Sequence, residues 1–140
     1  MLPRFEYDAF SAFFQQKTRW TLRPTRALLK AIKFKQRFRA VHVAGTNGKG
    51  SCAVFLDSIL RSAGLRTGFY SSPHLARFNE RIQVNANQVT DAELAALWKK
   101  VKPAVVKWNQ KNSEKISEFE AETALAFKRF EKAKVDYAVV

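Results

Sequence analysis

An α/β fold with a largely parallel sheet flanked by helices follows from three observations in the 140-residue chain. Short β-rich runs alternate with longer segments whose apolar residues recur at helical spacing. The first of these runs, AVHVAG (40–45), leads into a glycine-rich loop that opens directly into a helix. The last, VDYAVV (135–140), is nearly continuous in apolar residues, as expected of a strand covered on both faces.

Each element has its own local signal. EYDAFSAFFQQK (6–17) and PTRALLKAIKFK (24–35) read as helices, the second with Pro24 in its first turn, where the missing N–H has no intrahelical partner to lose. After AVHVAG, apolar positions at Cys52, Phe55, Leu56, Ile59, Leu60 and Ala63 form the i, i+3, i+4 stripe of a buried helix starting at Ser51, and Gly64 ends it. RTGFYS (66–71) supplies a strand and RIQVN (81–85) a further extended piece beyond a polar loop. Thr90 with Glu93 predicts a capping box opening a helix to about Asn109, and Ser117 with Glu120 repeats it before a helix to about Lys134. VDYAVV then closes the pattern.

Twenty-five Lys and Arg against twelve Asp and Glu leave a net charge of +13, which attracts polyanions. The excess sits in residues 1–39, with ten basic and two acidic side chains. KAIKFKQRFR (30–39) resembles a nucleic-acid surface in composition, but Leu28, Leu29 and Ile32, with Phe38 beyond, fit the inner side of an amphipathic helix whose lysines lie in water. That solvated-face reading is preferred, and no nucleic-acid partner is expected. There is neither a leader-like N-terminal segment nor an apolar run long enough to span a membrane, so the expectation is a cytoplasmic protein without a membrane partner. One cysteine, Cys52, makes no internal disulfide, and two histidines set no zinc spacing; any metal is expected to be held mostly by oxygen.

The loop HVAGTNGKGS (42–51) carries the chemistry. Backbone N–H groups at a helix N-terminus attract anions, glycines let the backbone approach closely, and the helix dipole favours negative charge. Lys49 adds a point charge for β/γ-phosphates, and the Ser51 hydroxyl suits a phosphate or a magnesium ion. The site therefore suits a nucleoside triphosphate. It departs from the common G-x-x-x-x-G-K-[ST] pattern, with Val43 where the first glycine falls and Gly50 between Lys49 and Ser51.

That departure is informative. GTNGKGS (45–51) resembles the phosphate loop of the Mur ligase superfamily and, within it, of the folylpolyglutamate synthase/dihydrofolate synthase family. GLRTGFYSSPHLARFNERIQVN (64–85) is similar to that family's next strand and Ω-shaped loop, and SEFEAETALAFKRFEKAKVDYAVV (117–140) to the helix and strand that follow. The resemblance runs in order from about Ala40 to Val140. RWTLRPTRALL (19–29) lacks the glycine usual in the family's N-terminal substrate-side segment, and no role is carried over to it.

The resemblance implies a P-loop-containing, Mur-ligase-like ATPase domain, incomplete at the C-terminus, from an ATP-dependent carbon–nitrogen ligase. Such an enzyme activates a pteroate or folate carboxylate as its acyl phosphate and adds L-glutamate, with ATP and Mg2+ as cofactors. Thr46, Asn47, Gly48, Lys49, Gly50 and Ser51 are implied to hold the triphosphate and Ser72 to ligate magnesium. Ser117 and Phe119 are implied to line the pterin pocket; Phe119 at helical spacing from Thr123, Phe127 and Phe130 reads equally well as core. His74 is expected to bond within its loop, Glu80 and Arg81 to be a loop-fixing pair, and Glu120 and Glu122 to face solvent; no catalytic residue is assigned. In the family a magnesium-binding glutamate and a glycine-rich loop follow the strand matching DYAVV, and a C-terminal glutamate-ligase domain comes later. Residues 1–140 are accordingly expected to be the N-terminal part of the ATP-binding domain, inactive alone and open to a complementing C-terminal fragment. The alternatives are another Mur-type ligase acting on a different carboxylate, or a basic nucleic-acid-binding module.

Overall fold

The computed structural model describes residues 5–14 and 21–140. In chain order the elements are α1 (Tyr7–Ala12), α2 (Arg23–Ala31), β1 (Arg39–Val41), α3 (Lys49–Ser62), β2 (Thr67–Tyr70), β3 (Ile82–Val84), β4 (Asn87–Gln88), α4 (Asp91–Lys111), α5 (Glu118–Ala133) and β5 (Tyr137–Val139), with a 3-10 turn at Phe78–Arg81 before β3. They gather into two compact units, Met1–Phe34 with Asp91–Lys128, and Lys35–Thr90 with Arg129–Val140. α1 ends at Ala12 with Phe13 as its C-cap, short of the expected extent, while residues 15–17 of the expected helix and the first two residues of RWTLRPTRALL lie outside the described residues.

The first unit is helical. Along α4, Leu94, Leu97, Val101 and Val105 fall three or four residues apart and are buried, so one continuous stripe faces the core. The helix persists through Pro103, whose ring removes one backbone hydrogen bond, because the buried residues on either side hold it from the outside. Phe10 of α1 packs edge-on against Trp98 at 4.9 Å and against Phe14 at 5.2 Å, the offset geometry that aromatic quadrupoles prefer. α2 ends at Ala31, four residues short of the sequence expectation: Lys33 turns left-handed at φ 52° and the Phe34 N–H closes back on the Leu29 carbonyl at 2.9 Å. Phe38, read as an extension of the same face, belongs instead to the second unit, where it packs on Phe130.

The capping box predicted at Ser117 and Glu120 is present. The Ser117 Oγ accepts from the Glu120 N–H at 3.3 Å, and the Glu120 carboxylate accepts from the Ser117 N–H and Oγ–H, both at 2.8 Å. Replacing Ser117 by Ala is expected to cost about 1 kcal/mol of stability, as loss of an N-cap usually does, measured as a lowered urea midpoint at unchanged slope. Two acids depart from the expectation of a solvent-facing helix edge. Glu120 is half-buried and also accepts from Thr25 Oγ1 at 2.9 Å, and Glu122 is only 1% exposed. α5 is covered along this side, which local periodicity does not reveal.

The second unit holds a mixed five-stranded sheet in the order β1-β5-β2-β3-β4. β1, β5 and β2 are parallel, whereas β3 and β4 are antiparallel additions. The expectation of a largely parallel sheet therefore holds for the half that carries the glycine loop. The other half is a hairpin, turned through Asn85 and Ala86 at φ 49° and 60°, a connection too short for the crossover that parallel strands require. β1 is shorter than AVHVAG and begins one residue before it: the strand ends at Val41, and His42 to Gly45 already lead into the loop.

Strand alternation gives the sheet two distinct faces. Phe69 and Val139, paired in register, pack with Ala53, Leu56 and Leu60 of α3 and with Val43. On the opposite face, Gly68 and Ala138 are also in register, and the Phe130 ring lies over Gly68, where a Cβ atom would stand 2.6 Å from the ring. α3 is turned differently from the expected stripe. Ala53 and Asp57 are buried and Leu56 and Leu60 half-buried, but Cys52, Phe55, Ile59 and Ala63 are exposed, Phe55 by 67%. The apolar arc of α3 is wider than the strip of β2 and β5 beneath it, so its outer part has no cover.

Candidate functional site

The glycine loop is held at both ends. Val43 N–H donates to the Val140 carbonyl at 2.7 Å and its side chain packs with Phe69 and Val139, while the Cys52 N–H closes the first helical bond to the Gly48 carbonyl at 2.9 Å. Gly48 is the N-cap of α3, with φ 75° and ψ −1°, a left-handed conformation that side chains disfavour. This is the physical reason for a glycine between Asn47 and Lys49. α3 starts at Lys49, two residues before the expected Ser51, so Lys49, Gly50 and Ser51 form its first turn. Their three N–H groups have no intrahelical partner and no side-chain cap, and the first turn contains no acid. All of residues 44–51 are exposed.

Lys49 reaches back across the loop, its Nζ donating to the Thr46 carbonyl at 3.0 Å. Two ammonium hydrogens remain for a ligand. The result is an open cradle of backbone donors, a helix dipole and one point charge, all of the sign that binds an anion.

The loop beyond β2 emerges at the same sheet edge. β1, β5 and β2 are parallel, so the segments leaving β1 and β2 both rise at their carboxyl ends, one on each side of β5. Ser72 lies there, exposed. Glu80 fixes this loop: its carboxylate accepts from the N–H groups of Leu75 at 2.8 Å, Ala76 at 3.0 Å and Arg77 at 2.7 Å. Arg81 donates through Nε to His74 Nδ1 at 2.8 Å. His74 thus bonds within its loop as expected, whereas Glu80 acts on backbone amides, a role that its neighbour Arg81 hid in the sequence.

The amide of Leu75, then that of Arg77, pulls the Glu80 carboxyl below its ordinary value. A depressed carboxylate contributes order above its unfolded pKa and loses it as pH falls through the folded one. The amide shifts of Leu75 and Arg77 in ¹H–¹⁵N spectra are therefore expected to titrate together, with a midpoint below that of a free glutamate, and Glu80→Gln should abolish the titration.

The structure thus brings Thr46, Asn47, Gly48, Lys49, Gly50, Ser51 and Ser72 to one edge of the sheet unit. Ser117 and Phe119 belong to the helical unit. Ser117 is occupied as the cap of α5, and Phe119 is 55% exposed, which rules out a core role. Among the described residues no group of three or more His, Cys, Asp or Glu side chains is placed to hold a metal ion, and no helix is long and apolar enough to cross a membrane.

A parallel strand, an αL glycine and a bare helix N-terminus define an α/β domain built around an anion-binding glycine loop. No family model matches the chain. It is 44% identical over 106 residues to the dihydrofolate synthase/folylpolyglutamate synthase of Bacillus subtilis, covering 75% of this chain and 25% of that protein. Its fold matches Mycobacterium tuberculosis folylpolyglutamate synthase complexed with ADP at a TM-score of 0.88 and 31% identity, over 96% of this chain and 30% of that one. A solved FPGS–AMPPCP–folate complex matches at 0.87 and 35%, over 97% and 35%. The chain belongs to the folylpolyglutamate synthase/dihydrofolate synthase family, and it spans about a quarter of the length of the curated relatives it matches.

Proposed function

We propose that this chain binds Mg-ATP in the cradle of residues 45–51 and forms the nucleotide-binding part of a ligase that joins L-glutamate to a pteroate or folate carboxylate. The observation that carries the reading is the first turn of α3, with three free N–H groups, no acid and Lys49 beside them. The likeness to synthases solved with ADP and with AMPPCP and folate supports it. We place the protein in the cytoplasm, where ATP is available and the exposed, unpaired Cys52 stays reduced.

In this reading the amides of Lys49, Gly50 and Ser51 hold the phosphate chain, Lys49 neutralises its outer oxygens, and Gly48 lets the backbone approach without a Cβ in the way. Thr46 and Asn47 line the loop. Ser72 is exposed, and its one neutral hydroxyl oxygen beside phosphate oxygens and water fits magnesium, which keeps much of its hydration. Bound magnesium supplies charge neutralisation on the phosphates. Phosphoryl transfer to a carboxylate asks the protein chiefly for positioning and charge compensation, and both are what this loop offers. Ser117 and Phe119 would meet the pterin, Phe119 as an aromatic side chain that is 55% exposed.

The glutamate site and the remainder of the catalytic centre are proposed to come from segments outside these residues, in keeping with the quarter of the Bacillus subtilis synthase that the match covers. Calorimetry with Mg-ATP and a glutamate-incorporation assay separate the two parts of the proposal. Uptake of nucleotide without turnover is the expected result. Turnover by the 140-residue chain alone would overturn the need for further segments, and no uptake at millimolar nucleotide would overturn the cradle.

A further inference from the structure

Within the helical unit, α2 and α4 border an open cleft of about 560 Å³ that the nucleotide site does not use. That volume lies in the range of sites for small organic ligands, roughly 300–1,000 Å³. Its walls are unusual for two packed amphipathic helices. Ala27 and Ala31, one turn apart on α2, face Ala104 on α4, and these small side chains leave a slot floored by the buried Leu28. Trp108 forms one side, its orientation fixed by an Nε1–H donated to the Glu114 carbonyl at 2.7 Å.

The rim is cationic. Lys30, Lys107 and Lys111 border the opening, all three are exposed, and none has a carboxylate partner among the described residues. Lys107 and Lys111 are one turn apart on α4, a spacing at which like charges repel. Arg23 stands 5.7 Å from the centre of the Trp108 ring and adds to the same field. Glu114, in the connection between α4 and α5, accepts from Thr21 Oγ1.

We infer that this slot binds a small aromatic compound carrying two or more carboxylates. The alanine-walled slot beside Trp108 takes a flat ring, and the three ammonium groups at its mouth require more than one negative charge to be neutralised. The inference is independent of the nucleotide reading, since every residue it uses lies in the helical unit.

The test is ¹H–¹⁵N titration of the full chain, following the Trp108 indole N–H, with naphthalene-2,6-dicarboxylate, its neutral dimethanol counterpart and laurate. The dicarboxylate is expected to shift the Trp108 signal saturably and to bind at least about tenfold more tightly than the dimethanol, as charge-assisted contacts imply. Lys107→Gln with Lys111→Gln, both at exposed positions, should remove that preference while leaving the rest of the spectrum in place. Ala104→Leu should block the dicarboxylate by filling the slot; should that variant unfold, the double glutamine variant still decides. Equal affinity for the dimethanol, tighter binding of laurate, or no shift at about 5 mM dicarboxylate would each overturn the inference.

Discussion

Replacing Phe130 by alanine is expected to destabilise the chain by about 3–5 kcal/mol, the usual cost of emptying a buried phenylalanine site. The side chain is fully buried, packs edge-on against Phe38 at 6.0 Å, and lies directly over Gly68 of β2. The reciprocal substitution should also be severe. A Cβ at Gly68 would stand 2.6 to 2.8 Å from three atoms of the Phe130 ring, closer than carbon atoms approach, and the ring has no solvent side toward which to move. Gly68→Val is therefore expected to cost about 3 kcal/mol, at the upper end of overpacking. Chemical denaturation of the single and double variants tests the contact itself: Gly68→Ala should be markedly less harmful in the Phe130→Leu background than in the native one. Equal costs in both backgrounds would show that the ring does not limit the strand.

Lys49→Ala is expected to weaken Mg-ATP binding by about ten- to a hundredfold, the range for one charge-assisted contact to a phosphate. Lys49→Glu should abolish it, because a carboxylate would then compete with phosphate for the first-turn amides. Neither change should alter the fold, since Lys49 is exposed and its one observed hydrogen bond is to the Thr46 carbonyl of its own loop. Calorimetry alongside circular dichroism checks both halves. Affinity unchanged in Lys49→Glu would remove the nucleotide from this loop whatever the relatives bind. Gly48→Ala provides a separate control: it leaves the charge in place but strains an αL backbone, so lost affinity there reports the shape of the cradle.

What local sequence determined about this protein is the set of features that neighbouring residues decide among themselves. Gly48 marks a left-handed cap, Ser117 and Glu120 close a box three residues apart, Gly64 follows the end of α3, and VDYAVV contains a strand. The glycine loop was legible for the same reason, because its αL turn and bare helix start depend on backbone preference within a few residues. Tertiary structure alone decided which surfaces are covered. Phe55 and Ile59 are exposed although the helical period marked them as buried, and Glu122 is buried although its charge marked it as solvent-facing. Phe119 is exposed, and the alanine slot beside Trp108 exists only because α2 and α4 meet. Helical periodicity measures an angle around one axis, whereas burial depends on chain brought up from far along the sequence, and no window of neighbouring residues contains that information.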